Sequence, residues 1–116
     1  MLELKGCNPR LLNDLSYIKN AMIGAAKAAD AHIVGESFHR FSPQGVTGIL
    51  AIAESHICIH TWPEYGYAAA DVFTCGTSFQ PIKAAQFLIE RLESKEPSIT
   101  EFKRGIPTPV TSGPRP

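Results

Sequence analysis

Apolar positions recur along the chain at two periods. Leu11, Leu12, Leu15, Ile18, Met22, Ala25, Ala26 and Ala29 return every three to four residues, which predicts one helix of about five turns. Asn8-Pro9 provides its start, an N-cap residue followed by a proline whose fixed φ suits the first helical position. Gly24 interrupts this run and costs up to ~1 kcal/mol against alanine unless close packing against a sheet requires it. A second helix opens at Pro81 with Ile82, Ala85, Leu88, Ile89 and Leu92 on its apolar face, and Pro97 is expected to stop it.

Elsewhere the pattern reads as strands: Met1 to Lys5, His32 to Phe41, Val46 to Ala53, Ile57 to Thr61, Tyr67 to Thr74 and Ser98 to Lys103. The third has too little alternation to leave one face in water. Ser42-Pro43-Gln44-Gly45 and Trp62-Pro63-Glu64-Tyr65-Gly66 are turns by composition. Turns this short favour antiparallel pairing, because parallel strands need a long crossover. The expected fold is α+β: a two-layer α/β sandwich, an antiparallel sheet with two helices on one face. The second sheet face is left open, and an apolar open face on so small a chain calls for a partner, so a homodimer is expected.

Composition narrows the class. The 116 residues suit one domain, expected over residues 1–104. Gly105 to Pro116, with four prolines, reads as a mobile tail. Eleven basic residues balance eleven acidic ones, so nothing points to nucleic acid. No apolar run approaches the roughly 20 residues that span a bilayer. Three cysteines without a C-x-x-C pair fit a reducing cytoplasm better than a disulfide framework.

The chemistry is concentrated between Glu54 and Gly76. Two of the three cysteines, two of the four histidines and the one tryptophan lie there. Taken singly, Ser55 would be a surface serine at a turn, Cys75 a small core residue and Trp62-Pro63 a packed corner. On an extended strand His56, Cys58 and His60 share one face, a possible ligand set for zinc or copper with His39, Asp71 or Cys75 as a fourth ligand. A hydroxyl, two imidazoles and a thiol equally suit covalent catalysis.

The run Glu54-Ser55-His56, His60-Thr61-Trp62-Pro63-Glu64-Tyr65-Gly66-Tyr67-Ala68-Ala69, Asp71 and Phe73-Thr74-Cys75-Gly76 resembles the signature of the prokaryotic S-adenosylmethionine decarboxylase proenzymes. Phe38-His39-Arg40-Phe41, Pro43, Gly45-Val46 and Gly48 extend the likeness, which runs from about Met1 to Arg104. The resemblance implies self-cleavage between Glu54 and Ser55 into a β chain, 1–54, and an α chain, 55–116. Ser55 then becomes a covalent pyruvoyl group, the cofactor, which forms a Schiff base with the substrate. It further implies His60 as the proton acceptor in processing, Thr47 as a processing accessory and Cys75 as the proton donor in catalysis. Phe41, Trp62 and Glu64 match substrate-binding positions. The implied reaction turns S-adenosyl-L-methionine into S-adenosylmethioninamine, the aminopropyl donor for spermidine, in a homodimer of two α and two β chains. Two other readings stay open: the same scaffold acting on another amino acid such as arginine, and a metal-binding module built on His56, Cys58 and His60.

Overall fold

The computed structural model describes residues 1–53, 55–74 and 80–102. Glu54, Cys75 and the tail from 105 onward, all singled out above, lie outside the described residues. Among the described residues, six strands form one sheet: β1 (Leu2–Lys5), β2 (Ile33–Arg40), β3 (Val46–Ile52), β4 (Ser55–Trp62), β5 (Tyr67–Phe73) and β6 (Glu96–Ile99). Their order is β2-β3-β4-β5-β1-β6 and every neighbouring pair is antiparallel. The α+β sandwich expected from the sequence is the observed architecture.

The first helix departs from expectation. It is two helices, α1 (Pro9–Leu12) and α2 (Leu15–Ala28), so with α3 (Pro81–Arg91) three helices among the described residues cover the sheet. Asp14 makes the break. Its backbone is extended and its carboxylate accepts the Tyr17 N–H at 3.1 Å, restarting the helix as a second N-cap. Asn8 caps α1 in the same way through the Arg10 N–H. Apolar spacing does not reveal the break, because Leu12, Ile18, Met22 and Ala25 are buried on both sides of it.

The helix α3 also ends before its expected stop. Glu93 takes a left-handed φ of 55°, and the N–H groups of Glu93 and Ser94 return to Glu90 and Ile89. Pro97 instead lies in β6, opposite Leu4, on an edge strand where its missing N–H is tolerated.

One face of the sheet makes the core. Leu2, Leu4, Val46, Leu50, Ile52, Ile57, Ile59, Ala68 and Ala70 pack against Leu12, Ile18, Met22, Ala25 and Leu88 from the helices and Leu92 just past α3. Gly24 is needed for a close approach between helices, not against the sheet: a Cβ there would stand 2.5 Å from the Phe87 ring. Among the described residues, the other face carries no helix. On β3 the buried residues Val46, Gly48, Leu50 and Ile52 alternate with Thr47, Ile49 and Ala51, so this strand does have an uncovered face, and Ile49 is 43% exposed on it.

Candidate active site

Regular antiparallel register sorts the chemically active side chains onto that uncovered face. Thr47 pairs with His60, Ile49 with Cys58 and Ala51 with His56 across β3 and β4. Cys58 pairs with Asp71, and Trp62 with Tyr67, across β4 and β5. Alternation therefore places His56, Cys58, His60 and Trp62 together, while Ser55, Ile57, Ile59 and Thr61 point toward the helices.

A cleft of about 350 Å³ opens where β4 runs into the turn at Pro63–Tyr65. Phe41, Thr47, His60, Trp62 and Glu64 line it, which brings together five residues the sequence singled out. Gln44, Gly45 and Thr61 complete the lining. His60 Nδ1 lies 3.1 Å from Thr47 Oγ1. With that nitrogen engaged, Nε2 is the ring position left to exchange a proton. The Trp62 ring stands 6.4 Å from His60 on one side and 5.3 Å from Tyr67 on the other.

The lip of the cleft is tied down from below. Thr61, buried, donates its hydroxyl to the Leu12 carbonyl at 2.8 Å and accepts the Val46 N–H at 2.8 Å. Asn13, at the break between α1 and α2, accepts the Gly45 N–H at 3.0 Å. Gly45 has φ 107°, and a Cβ there would press within 3.1 Å of the Thr61 carbonyl. Thr61 was legible only as a polar residue at a core-facing strand position. Nothing in the sequence marked Asn13.

Ser55 is not in this cleft. It begins β4 at the opposite end, half-buried, with its hydroxyl donating to Thr74 Oγ1 at 3.2 Å. Thr74 directly precedes Cys75 in sequence. The candidate residues thus occupy two stations, one at each end of β4.

Two groups on the open face have displaced pKa values. Burial raises the Cys58 thiol, and the Asp71 charge raises it further against a partly offsetting backbone hydrogen bond from Asp71. Tyr67 is pushed up to about 12, first by its hydrogen bond to Glu3, then by burial and the charges of Glu3 and Asp71. Both stay protonated at neutral pH.

His56, Cys58 and His60 do share a face, but His56 and His60 are four residues apart on an extended strand, roughly 13 Å, too far for all three to meet one ion. Among the described residues no three of His, Cys, Asp and Glu are grouped to hold a metal. The metal-module reading is not supported. No helix of the described residues is long and apolar enough to cross a membrane.

Comparison with known proteins bears on the rest. The family model described as S-adenosylmethionine decarboxylase matches residues 1–105. An S-adenosylmethionine decarboxylase proenzyme of Thermodesulfovibrio yellowstonii is 57% identical over 106 residues, covering 91% of this chain and 78% of that protein. One of the same name from Clostridium tetani is 48% identical over 106 residues, covering 91% and 84%. Among solved structures, the adenosylmethionine decarboxylase of Aquifex aeolicus superposes with a TM-score of 0.87 at 32% identity, covering 96% of this chain and 92% of that one. None of these relatives is named for arginine, and that alternative is not supported.

Proposed function

The chain belongs to the S-adenosylmethionine decarboxylase family, and from that membership we propose that it cuts itself between Glu54 and Ser55 and works through the pyruvoyl group that Ser55 becomes. It is a carboxy-lyase that converts S-adenosyl-L-methionine to S-adenosylmethioninamine. The observation that carries the finer reading is the cleft in which Thr47 holds the His60 imidazole beside Phe41, Trp62 and Glu64.

Processing follows from the chemistry of these side chains. The Ser55 hydroxyl attacks the Glu54 carbonyl carbon, and the amide becomes an ester with the Ser55 nitrogen freed as an amine. A neutral imidazole is suited to remove the Ser55 α-proton, the role assigned to His60. The electron pair left behind expels the Glu54 carboxylate and frees the β chain, 1–54. The dehydroalanine at position 55 takes up water and loses ammonia to become pyruvoyl, opening the α chain, 55–116.

Ser55 fits this role, lying half-buried beside a turn with a hydroxyl oriented by Thr74. Once formed, the pyruvoyl carbonyl supplies the electron sink for loss of CO₂. Phe41 and Trp62 offer aromatic faces to the adenine and the sulfonium, because a cation is attracted to a π face without a counter-charge. The Glu64 carboxylate accepts from the ribose hydroxyls. Cys75, the residue after Thr74, donates the proton to the substrate's α-carbon.

A second copy is needed for this chemistry. Five residues of extended strand separate Ser55 from His60 by roughly 16 Å, so neither hydrogen bonding nor proton transfer joins them within one protomer. We assign the catalytic unit to a homodimer packed through the open sheet face, in which each Ser55 station meets the partner's cleft. After processing it holds two α and two β chains. The free thiols of Cys7 and Cys58 suit a reducing compartment, and the cytoplasm is the proposed location.

Intact-mass spectrometry of the purified protein tests the proposal. Two chains are expected, the second beginning with pyruvoyl at position 55. Ser55→Ala removes the attacking oxygen and should stay whole and inactive; a Ser55→Ala chain that still splits would overturn the reading.

A further inference from the structure

We propose that Glu3 and Tyr67 are positioning residues for Trp62 and set how tightly the cleft holds the nucleoside end of the substrate. The inference rests on the reading of the cleft as the substrate site. Trp62 is 39% exposed at the end of β4, on the sheet face opposite the described helices. Its neighbour directly across β5 is Tyr67, with ring centroids 5.3 Å apart and planes inclined by 31°. A tilted, partly stacked pair of this kind stabilises one relative orientation of the rings.

That orientation is fixed only as well as Tyr67 itself is fixed. The Tyr67 hydroxyl donates to Glu3 Oε1 at 2.6 Å, the usual length of a charge-assisted hydroxyl–carboxylate hydrogen bond. Glu3 lies on β1 opposite Ala69, two residues along β5 from Tyr67 and on the same face. Tyr67 is therefore held at both ends, by its backbone in β5 and by its phenol on β1. The contacts run Glu3, Tyr67, Trp62 and then, more loosely, His60 at 6.4 Å. The first link joins residues 64 apart in sequence. With its pKa pushed up to about 12, the Tyr67 phenol keeps its proton for this bond at neutral pH.

A bond that only stapled β1 to β5 would alter stability without altering the cleft. Trp62 separates the two cases, because it is the chain's one tryptophan and its fluorescence has no other indole source. The experiment uses the processed dimer, well below its unfolding temperature, and compares acrylamide quenching with steady-state kinetics for Tyr67→Phe, Glu3→Ala, Glu3→Gln and Trp62→Ala. Tyr67→Phe keeps the ring but loses the phenol. It should raise KM for S-adenosylmethionine roughly three- to tenfold, the scale of one hydrogen bond, with kcat changed less. Quenching of Trp62 should rise in parallel. Glu3→Ala should match it, the double variant should add little to either, and Glu3→Gln, which still accepts a hydrogen bond, should recover most of the loss. Unchanged quenching and KM in both Tyr67→Phe and Glu3→Ala would overturn the proposal while Trp62→Ala still raised KM. If Trp62→Ala itself leaves KM unchanged, the cleft reading falls and this inference falls with it.

Discussion

Ser55 and His60 lie on one strand, five positions apart and on opposite faces of the sheet. The serine is bonded to Thr74 at one end of β4, and the histidine to Thr47 at the other. On the proposed dimeric reading, chemistry that needs both draws them from different copies of the chain, and each protomer contributes two half-sites joined by β4.

His60 and Thr47 should separate into a large effect and a small one on self-cleavage. Removing a positioned base costs about 10²- to 10⁴-fold, so His60→Ala should nearly stop cleavage at the elimination step. Thr47→Ala removes the hydroxyl 3.1 Å from Nδ1 and should slow cleavage on the order of tenfold, as one orienting hydrogen bond does. In both, the Ser55 ester should accumulate, and hydroxylamine should cut it. Gel densitometry with and without hydroxylamine reads both effects. Normal cleavage in His60→Ala would remove it as the processing base.

Gly24→Ala runs against ordinary helix propensity. In an unobstructed helix the change is worth up to ~1 kcal/mol in favour of alanine. Here the new methyl would lie 2.5 Å from one Phe87 ring carbon and 2.6 Å from another. The Arg91 guanidinium sits 4.5 Å over the same ring and opposes its swinging away. Overpacking of this kind costs about 1–3 kcal/mol, so the melting temperature should fall. Adding Phe87→Leu should return part of the loss. A rise in melting temperature for Gly24→Ala alone would show that the helices separate easily.

These two cases mark what the sequence revealed and what it hid. The helices and strands were legible because burial on one sheet face imposes period two and the helices that cover it impose period 3.6. Of the cleft residues, His60, Trp62 and Glu64 fall in one contiguous motif, and the family resemblance that this motif carries also marked Thr47 and Phe41, 13 and 19 residues upstream of His60. The split between α1 and α2 was not, since Leu12 and Leu15 keep the apolar rhythm while Asp14 turns the backbone. Nor was the stop of α3, which depends on a left-handed Glu93 that no residue preference announces. Phe87 over Gly24 and Tyr67 on Glu3 are long-range pairings, and local pattern carries no trace of them.

The pair Glu3–Tyr67 has a signature in alkali. The folded-state pKa of Tyr67, about 12, lies above the ordinary 10.0, so the folded protein holds this proton more tightly than the unfolded chain. The resulting stabilisation is fully present below pH 10.0 and is lost as pH rises through about 12. Phenolate absorbance should show one tyrosine of the wild type ionising late, and Glu3→Ala should bring that step down. The stability advantage of wild type over Glu3→Ala should shrink across the same window. An alkaline titration unchanged by Glu3→Ala would disprove the link.

The proposed shared site makes its own prediction when two defective chains are mixed. Neither Ser55→Ala nor His60→Ala should cut itself as a homodimer. In a heterodimer of the two, one composite site takes Ser55 from the His60→Ala chain and His60 from the Ser55→Ala chain, and it is wild type at both positions. The other site lacks both groups. Co-expression with distinguishable tags should therefore produce cleavage, and only of the His60→Ala chain. Random pairing makes half of the dimers mixed, and in each of these one His60→Ala chain is competent. About half of the His60→Ala chains should therefore be cut, and decarboxylase activity should reappear wherever the second protomer's cleft is intact. If the two residues acted within one protomer, as the roughly 16 Å of extended strand between them opposes, no mixture would restore cleavage. Silence in a co-expressed pair shown to dimerise would then overturn the assignment of His60 to its partner's serine.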